Sequence, residues 1–402
     1  MHLRSLQLTN YRNFRRLALT LDDEPTIIQA DNAQGKTNLL EAIELLATTK
    51  SSRAGSDREL IHWAVASPAD ELAAAEAFGR ISALVAHPHG ETKAEVLLRV
   101  GDAAEDGAGP SVSKAFRVNG LPRRALEFVG EINVVSFSPE DVELVAGPPV
   151  GRRRYLDITN GQMSGRYLRA LQRFNKVLGQ RNQLLRQIRD HGGGQDSTLP
   201  VWDQELATNG AYIFQERARS VTGLAAFADR WFRELGGWGQ QLTIGYRPGL
   251  PENEAVVLGS VQEGDLALGA IHSGFMEALT RIRPRDIAAG MSLVGPHRDD
   301  LCFAVDGIDL NVYGSRGQQR LAALSLKLAE LDLLAARVGS RPILLLDDVL
   351  SELDEAKQTA VQRVTAAGGQ TLLTVTHLDA IDRNVLPDAR VLHLEAGAHR
   401  VT

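Results

Sequence analysis

The residues best suited to chemistry lie far apart in the chain. Ala30-Asp31-Asn32-Ala33-Gln34-Gly35-Lys36-Thr37 has the order that a phosphate-binding loop requires. In such a loop backbone N–H groups face inward, and the helix after it presents its positive N-terminal end. Gly35 lets the backbone approach the phosphates, Lys36 reaches the β and γ phosphates, and the Thr37 hydroxyl can hold Mg²⁺. Ala30 stands where such loops usually carry their first glycine, a position that only opens the turn. Leu344-Leu345-Leu346-Asp347-Asp348 is an apolar strand ending in two carboxylates. That ending suits a metal ligand at Asp347 and a water-polarising base at Asp348. Ser315-Arg316-Gly317-Gln318-Gln319, with its serine, glycine and exposed N–H groups before a helix, forms an anion site. Together they point to ATP as the ligand and Mg²⁺ as its counter-ion.

The elements that must carry these groups are legible from hydrophobic period. Leu3, Leu6 and Leu8 lie in an alternating strand, and Thr26-Ile27-Ile28-Gln29 is a buried-strand run leading into the phosphate loop. Leu39, Leu40, Ile43 and Leu46 mark one face of the helix after the loop. Leu372-Leu373-Thr374-Val375-Thr376-His377 is another buried strand, ending in a histidine. The chain leaves this nucleotide-binding core and returns to it. Residues 1–158 and 290–402 are expected to form an α/β head, with a β-rich lobe near 80–150, and 159–289 a mainly helical insertion. In that insertion Tyr167, Leu168, Leu171, Phe174, Leu178 and Leu185 form one stripe. Trp202, Leu206, Tyr212, Ile213 and Val221 form a second, after the turn His191-Gly192-Gly193-Gly194. Two helices of about 25 to 30 residues, each near 40 Å, predict a short antiparallel arm. The stretch Asp102–Ser113, rich in glycine, alanine and acid, reads as a surface loop.

Composition narrows the class. With 402 residues and 44% apolar content the chain can bury a large core. A single cysteine, Cys302, excludes an internal disulfide and sits in an apolar run as a core residue. No run of apolar residues is long enough to span a membrane, and a cytoplasmic location is expected. The net charge of −6 offers no global attraction to nucleic acid, so any contact with DNA must come from local basic clusters. Candidates are Lys50, Arg53 and Arg58, then Arg123 and Arg124, then Arg152-Arg153-Arg154. With no helix-turn-helix or zinc pattern, such contact would be to phosphates and indifferent to sequence.

The motifs taken together resemble one family. Tyr11-Arg12-Asn13-Phe14, the phosphate loop with Asn38, Gly295-Pro296-His297-Arg298-Asp299-Asp300, Ser315 to Gln319, and Leu346-Asp347-Asp348-Val349-Leu350-Ser351-Glu352-Leu353-Asp354 look like the bacterial RecF family over nearly the whole length. The resemblance implies an ABC/SMC-like P-loop ATPase head, with a helical second lobe inserted between the phosphate loop and the signature motif. In ABC-type ATPases the signature, here Ser315, Gly317 and Gln318, caps the nucleotide of the opposite subunit. One chain has one of each motif, so two complete sites require a homodimer. The family further implies ATP-dependent DNA binding at gaps next to duplex, and a role with RecO and RecR in directing RecA. His377 matches the switch histidine of related heads. Asp348 stands where ABC-type enzymes normally have glutamate; being one methylene shorter, it predicts slow hydrolysis that suits a timer. Arg12 lies where related heads touch nucleotide, though hydrogen bonding at a strand end explains it equally well. No glutamine marks a Q-loop; Ser138-Pro139-Glu140-Asp141 lies in about that region.

Two other function classes fit less well. An ATP subunit of a membrane transporter carries its signature much sooner after the phosphate loop, whereas about 280 residues separate them here. A nuclease-associated SMC-like protein needs a long coiled coil or a carboxylate cluster after His377, and neither is present in the sequence.

Overall fold

The computed structural model describes residues 1–66, 78–88, 90–103, 110–191, 198–236, 239–251, 268–395 and 398–401. The glycines of the expected 191–194 turn and the centre of the expected 102–113 loop lie outside the described residues. The chain forms two compact units. One comprises Met1–Asp141, Glu234–Gly236 and Glu330–Thr402; the other comprises Val142–Arg233 and Gly237–Ala329. The divisions expected from hydrophobic period, near 158 and 290, differ from those that packing draws.

The first unit holds two six-stranded sheets. One is antiparallel, in the order β2 (Phe14–Thr20), β1 (His2–Tyr11), β4 (Phe78–His87), β5 (Gly90–Ala103), β6 (Pro110–Val118) and β7 (Leu121–Arg123). The other runs β15 (Ala398–Val401), β14 (Arg390–Glu395), β3 (Thr26–Gln29), β13 (Thr371–Val375), β12 (Ile343–Asp347) and β8 (Val134–Phe137). From β14 to β8 every pairing is parallel, and β15 alone is antiparallel. Parallel strands are covered on both faces, which is why Ile343–Leu346 and Thr371–Val375 read as continuous buried runs without alternation.

Helix α1 (Lys36–Thr48) packs on strands of both sheets, touching β8, β12 and β13 of one and β4 and β5 of the other. Burial therefore extends beyond the expected Leu39/Leu40/Ile43/Leu46 face to Ala42, Leu45 and Ala47. A helix clamped between two sheets needs apolar residues on both sides, so its amphipathic signal is diluted. Leu3, Leu6, Ile28, Ile43, Leu46 and Leu345 share the resulting core.

The second unit includes the helices α2 (Pro149–Met163), α3 (Gly165–Asp190), α4 (Leu199–Glu234) and α5 (Leu268–Ala289). It also holds a small sheet of β11 (Ile308–Asp309), β10 (Asp300–Val305) and β9 (Leu242–Arg247). The expected pair of helices is present, but α4 reaches 36 residues and a third long helix joins it. Phe275 of α5 enters a core made with Phe174 of α3 and Phe214 of α4, its ring edge-on to Phe214 at 5.3 Å. Gly210 permits that approach, since a Cβ there would lie 2.4 Å from the Phe275 ring. Helix α6 (Arg316–Val338) and helix α7 (Glu355–Ala366) complete the helices of twelve or more residues among those described. Cys302 is half-buried, and burial pushes its thiol up. No helix among the described residues is long and apolar enough to cross a membrane.

Candidate nucleotide site

Parallel pairing aligns the carboxyl ends of four strands, with Gln29 of β3 opposite Val375 of β13, Thr374 opposite Asp347 of β12, and Leu346 opposite Phe137 of β8. The segments leaving these strands are thereby gathered at one edge: the phosphate loop, Thr376 and His377, Asp348, and Ser138 to Asp141. This is the edge at which open parallel sheets receive ligands.

The phosphate loop is held in place by backbone and by neighbours. Ala30 N–H donates to the Val375 carbonyl at 3.2 Å, anchoring the loop where β3 ends. Ala33 and Gly35 both take positive φ, 65° and 103°, which turns successive N–H groups to one side. At Gly35 glycine is also required by space, because a Cβ would sit 2.5 Å from Asn13 Nδ2 and 2.9 Å from the Phe14 ring. The buried Lys36 ammonium donates to the Ala30 carbonyl and, at 3.2 Å, to Thr376 Oγ1. Thr37, the second residue of α1, is partly accessible, whereas Asp31, Asn32 and Ala33 are exposed and Gln34 partly so.

Asn13, to which the sequence alone assigns no role, braces this loop. Its Nδ2 donates to the Gln34 carbonyl at 3.1 Å, and its Oδ1 accepts from Asn38 Nδ2 at 2.9 Å. Its neighbours tie the same turn to α1: Arg12 donates twice to Glu41, at 2.8 and 2.6 Å, and Tyr11 Oη donates once, at 2.9 Å. Burial pushes the Glu41 carboxyl up, but hydrogen bonds from Arg12 and Ser51 and the Arg12 charge outweigh it and hold the group below its usual range. In this structure Arg12 is committed to Glu41.

Of the paired carboxylates, Asp347 is buried and accepts from Thr374 Oγ1 at 2.9 Å. Its other oxygen lies 3.5 Å from the Arg53 guanidinium, which also reaches Glu140 at 4.0 Å. Asp348 takes a left-handed conformation, φ 52°, and its N–H donates to Thr374 Oγ1 at 2.9 Å. Its carboxyl is raised above the ordinary value by burial; Lys36 opposes that and Asp347 adds to it. Thr374 thus ties both aspartates to β13, a role its place as a hydroxyl between the apolar Leu373 and Val375 could have signalled. His377 is exposed where β13 ends.

The signature residues belong to the second unit. Ser315 N–H and Oγ donate to Gln318 Oε1 at 3.0 and 3.1 Å, and Gln318 N–H donates back to Ser315 Oγ at 3.2 Å. This reciprocal cap starts α6 and leaves Ser315 and Gly317 exposed.

The basic clusters fare unequally. Lys50, Arg123, Arg124 and Arg154 are exposed and Arg58 is partly so, while Arg53 lies against Asp347. The triple-arginine run does not act as a unit. Arg152 is buried, pairs with both oxygens of Asp300 at 2.6 and 3.0 Å, and donates to the Gly147 carbonyl at 2.6 Å. It is removed from the phosphate-contact candidates, because neighbouring positions on a helix face different ways and this one faces β10. Arg153 is half-turned inward and donates to the Asp299 carbonyl at 2.8 Å.

The Gly295-to-Asp300 segment is a buried brace. Arg217 of α4, 1% exposed, donates to Asp299 at 2.6 Å, to Asp157 at 2.7 Å and to the Pro296 carbonyl at 2.7 Å. Tyr246 Oη and Gly249 N–H complete the partners of Asp299. Burial pushes Asp299 up to about 6 against the pull of Arg217. His297 is lowered to about 4 by burial. Its Nε2 donates to the Ser292 carbonyl, and its Nδ1 has no hydrogen-bond partner among the described residues.

Comparison with known proteins gives the family. Residues 2–379 match the family model described as the RecF/RecN/SMC N terminal domain. "DNA replication and repair protein RecF" of Roseiflexus castenholzii is 41% identical, with 99% of each chain covered. The chain belongs to the RecF family. A RecF of the same description from Bacillus cereus is 37% identical, covering 99% of this chain and 98% of its own. Among solved structures, the recombination mediator protein RecF with ATPrS in the RecFOR pathway has a TM-score of 0.83 at 30% identity, covering 100% of this chain and 98% of that one. The Smc head domain of Pyrococcus furiosus, at 0.52 and 14% identity over 100% of this chain and 96% of that one, shares the fold alone. The RecF-family head is therefore of the ABC/SMC type, and its members are DNA replication and repair proteins that bind nucleotide.

Proposed function

We propose that this chain is a slow, ATP-driven DNA-binding switch of recombinational repair. The observation that carries the reading is the gathering of phosphate loop, Thr376 and the two aspartates at one sheet edge, through in-register parallel strands. Ala30 to Thr37 would enclose the phosphates, with Lys36 exchanging its present acceptors for phosphate oxygens. Mg²⁺ would be held by Thr37, Asp347 and the phosphates themselves, in keeping with the few protein ligands this ion takes. Asp348 would polarise the attacking water, with His377 beside the γ-phosphate. Because the Ser315 cap is exposed and each chain has one, a second copy would complete each site, and ATP would favour the closed homodimer. Opening after hydrolysis would release DNA. With RecO and RecR, the switch would direct RecA to gaps next to duplex and so support replication restart and the SOS response.

The test is the oligomeric state with and without Mg-ATP, measured by sedimentation on the Asp348→Asn protein to prevent turnover. A nucleotide-dependent dimer is expected. Lys36→Ala should abolish it along with productive ATP binding; Ser315→Arg should abolish it while leaving ATP binding by the monomer intact. A Ser315→Arg protein that dimerises normally would contradict the shared site.

A further inference from the structure

Helix α3 carries a surface that sequence clusters of adjacent arginines do not reveal. From Arg166 through Arg189 it contains no aspartate or glutamate, in a chain whose net charge is −6. Tyr167, Phe174, Val177, Arg181, Leu185 and Ile188 turn inward. Arg166, Arg169, Arg173 and Lys176 are exposed, at spacings of three and four residues that place them on one line along the helix. Gln180, Gln183 and Gln187 continue the same line and are also exposed.

The charges are held lightly. Arg173 pairs with Glu205 of α4 at 3.0 Å, both groups about half exposed, a contact of a kind that contributes about 1 kcal/mol at most. Arg166 lies over the Tyr212 ring at 4.3 Å, which fixes its direction and leaves its charge uncancelled. Arg169 and Lys176 have no acidic partner among the described residues.

We infer that this line of α3 is a contact surface for the phosphate backbone of duplex DNA, an inference that rests on the DNA-binding reading above. Charge complementarity selects a polyanion. The exposed line carries no aromatic side chain on which unpaired bases could stack, which selects duplex over single strand. A rigid helix of 26 residues is about 39 Å long, slightly more than one turn of B-form duplex, about 34 Å. The glutamines extend the line as neutral donors, so the contact is to phosphate and sugar and carries no sequence preference.

The experiment measures duplex affinity against salt, with Mg-ATP present, for the full chain and two double variants. Arg169→Gln with Lys176→Gln removes two phosphate contacts and should lower the log–log salt slope by about 1.8, so that about tenfold less affinity is lost between 50 and 200 mM salt. Gln180→Lys with Gln183→Lys should steepen the slope by about the same amount. All four positions are exposed, and melting temperatures accompany the binding curves; the gain variant answers the question even if the loss variant folds poorly. Unchanged slopes in both, with normal binding by the parent, would overturn the α3 inference, leave the face to an acidic protein, and leave the DNA-binding reading standing. A parent that binds no duplex at low salt would overturn both.

Discussion

The sheet edge that gathers the phosphate loop and the buried brace around Arg217 carry equally specific sequence, yet they treat charge in opposite ways. At the edge, Lys36 rests on a carbonyl and a hydroxyl, Asp348 is half-buried beside a second aspartate, and Asp31 to Ala33 are exposed. In the brace, one guanidinium meets Asp157, Asp299 and a carbonyl at once, and both Arg217 and Asp299 are buried. A site whose lysine is matched by a carbonyl and a hydroxyl is prepared for an anion; one whose buried guanidinium already meets two carboxylates holds elements together. A specific motif is therefore no guide to chemistry until its partners are known.

The contrast can be broken most sharply at Asp348. Asp348→Asn should slow phosphate release by about 10²- to 10⁴-fold while nucleotide stays bound. Retained turnover would mean that the open carboxylate is not the base. In the brace the same kind of change should act on stability. Arg217→Met leaves Asp299 buried without its cation and should cost about 3–5 kcal/mol by denaturant titration, with nucleotide affinity of the folded protein unchanged. A loss of nucleotide affinity without a loss of stability would reverse the two roles. Asn13→Ala removes two hydrogen bonds from behind the phosphate loop. It should weaken nucleotide binding by roughly three- to tenfold, read by titration, with little change in melting temperature.

The smallest effect is one of pH. His297 is lowered from 6.5 to about 4, so its contribution to stability is complete above 6.5 and is lost as the pH falls toward 4. Asp299, raised from 3.8 to about 6, has the opposite sign: its contribution is complete below 3.8 and is lost as the pH rises through 6. The two oppose each other across most of that window. His297→Gln removes the first alone, so relative to the parent the variant should gain stability between pH 7 and pH 5. A parallel pair of stability curves would remove His297 from the titration.

Legibility in the sequence depends on where each residue's partners lie. The phosphate loop and the paired aspartates are legible because strand, turn and helix start are contiguous, and backbone chemistry limits which residues can serve. Arg152 reads as a surface charge because its partner, Asp300, is distant in the chain, and no local pattern says that a basic residue is buried. Asn13 sits in the same short turn as Tyr11 and Arg12, and its grip on Gln34 depends on a tertiary approach that the turn itself does not encode. Hydrophobic period yields a two-helix arm without α5, because the apolar positions of α5 fill a core supplied by three helices. The basic line of α3 is hidden in the sequence because its charges are spaced by the helical repeat and do not form a run.

If the nucleotide edge serves a DNA-gated switch, duplex DNA should alter its turnover of ATP. The most direct measurement is ATP turnover by the purified protein with and without duplex DNA at fixed low salt. Slow turnover that rises when duplex is added is the expected result. Turnover indifferent to DNA would contradict the switch while leaving an ATPase in place.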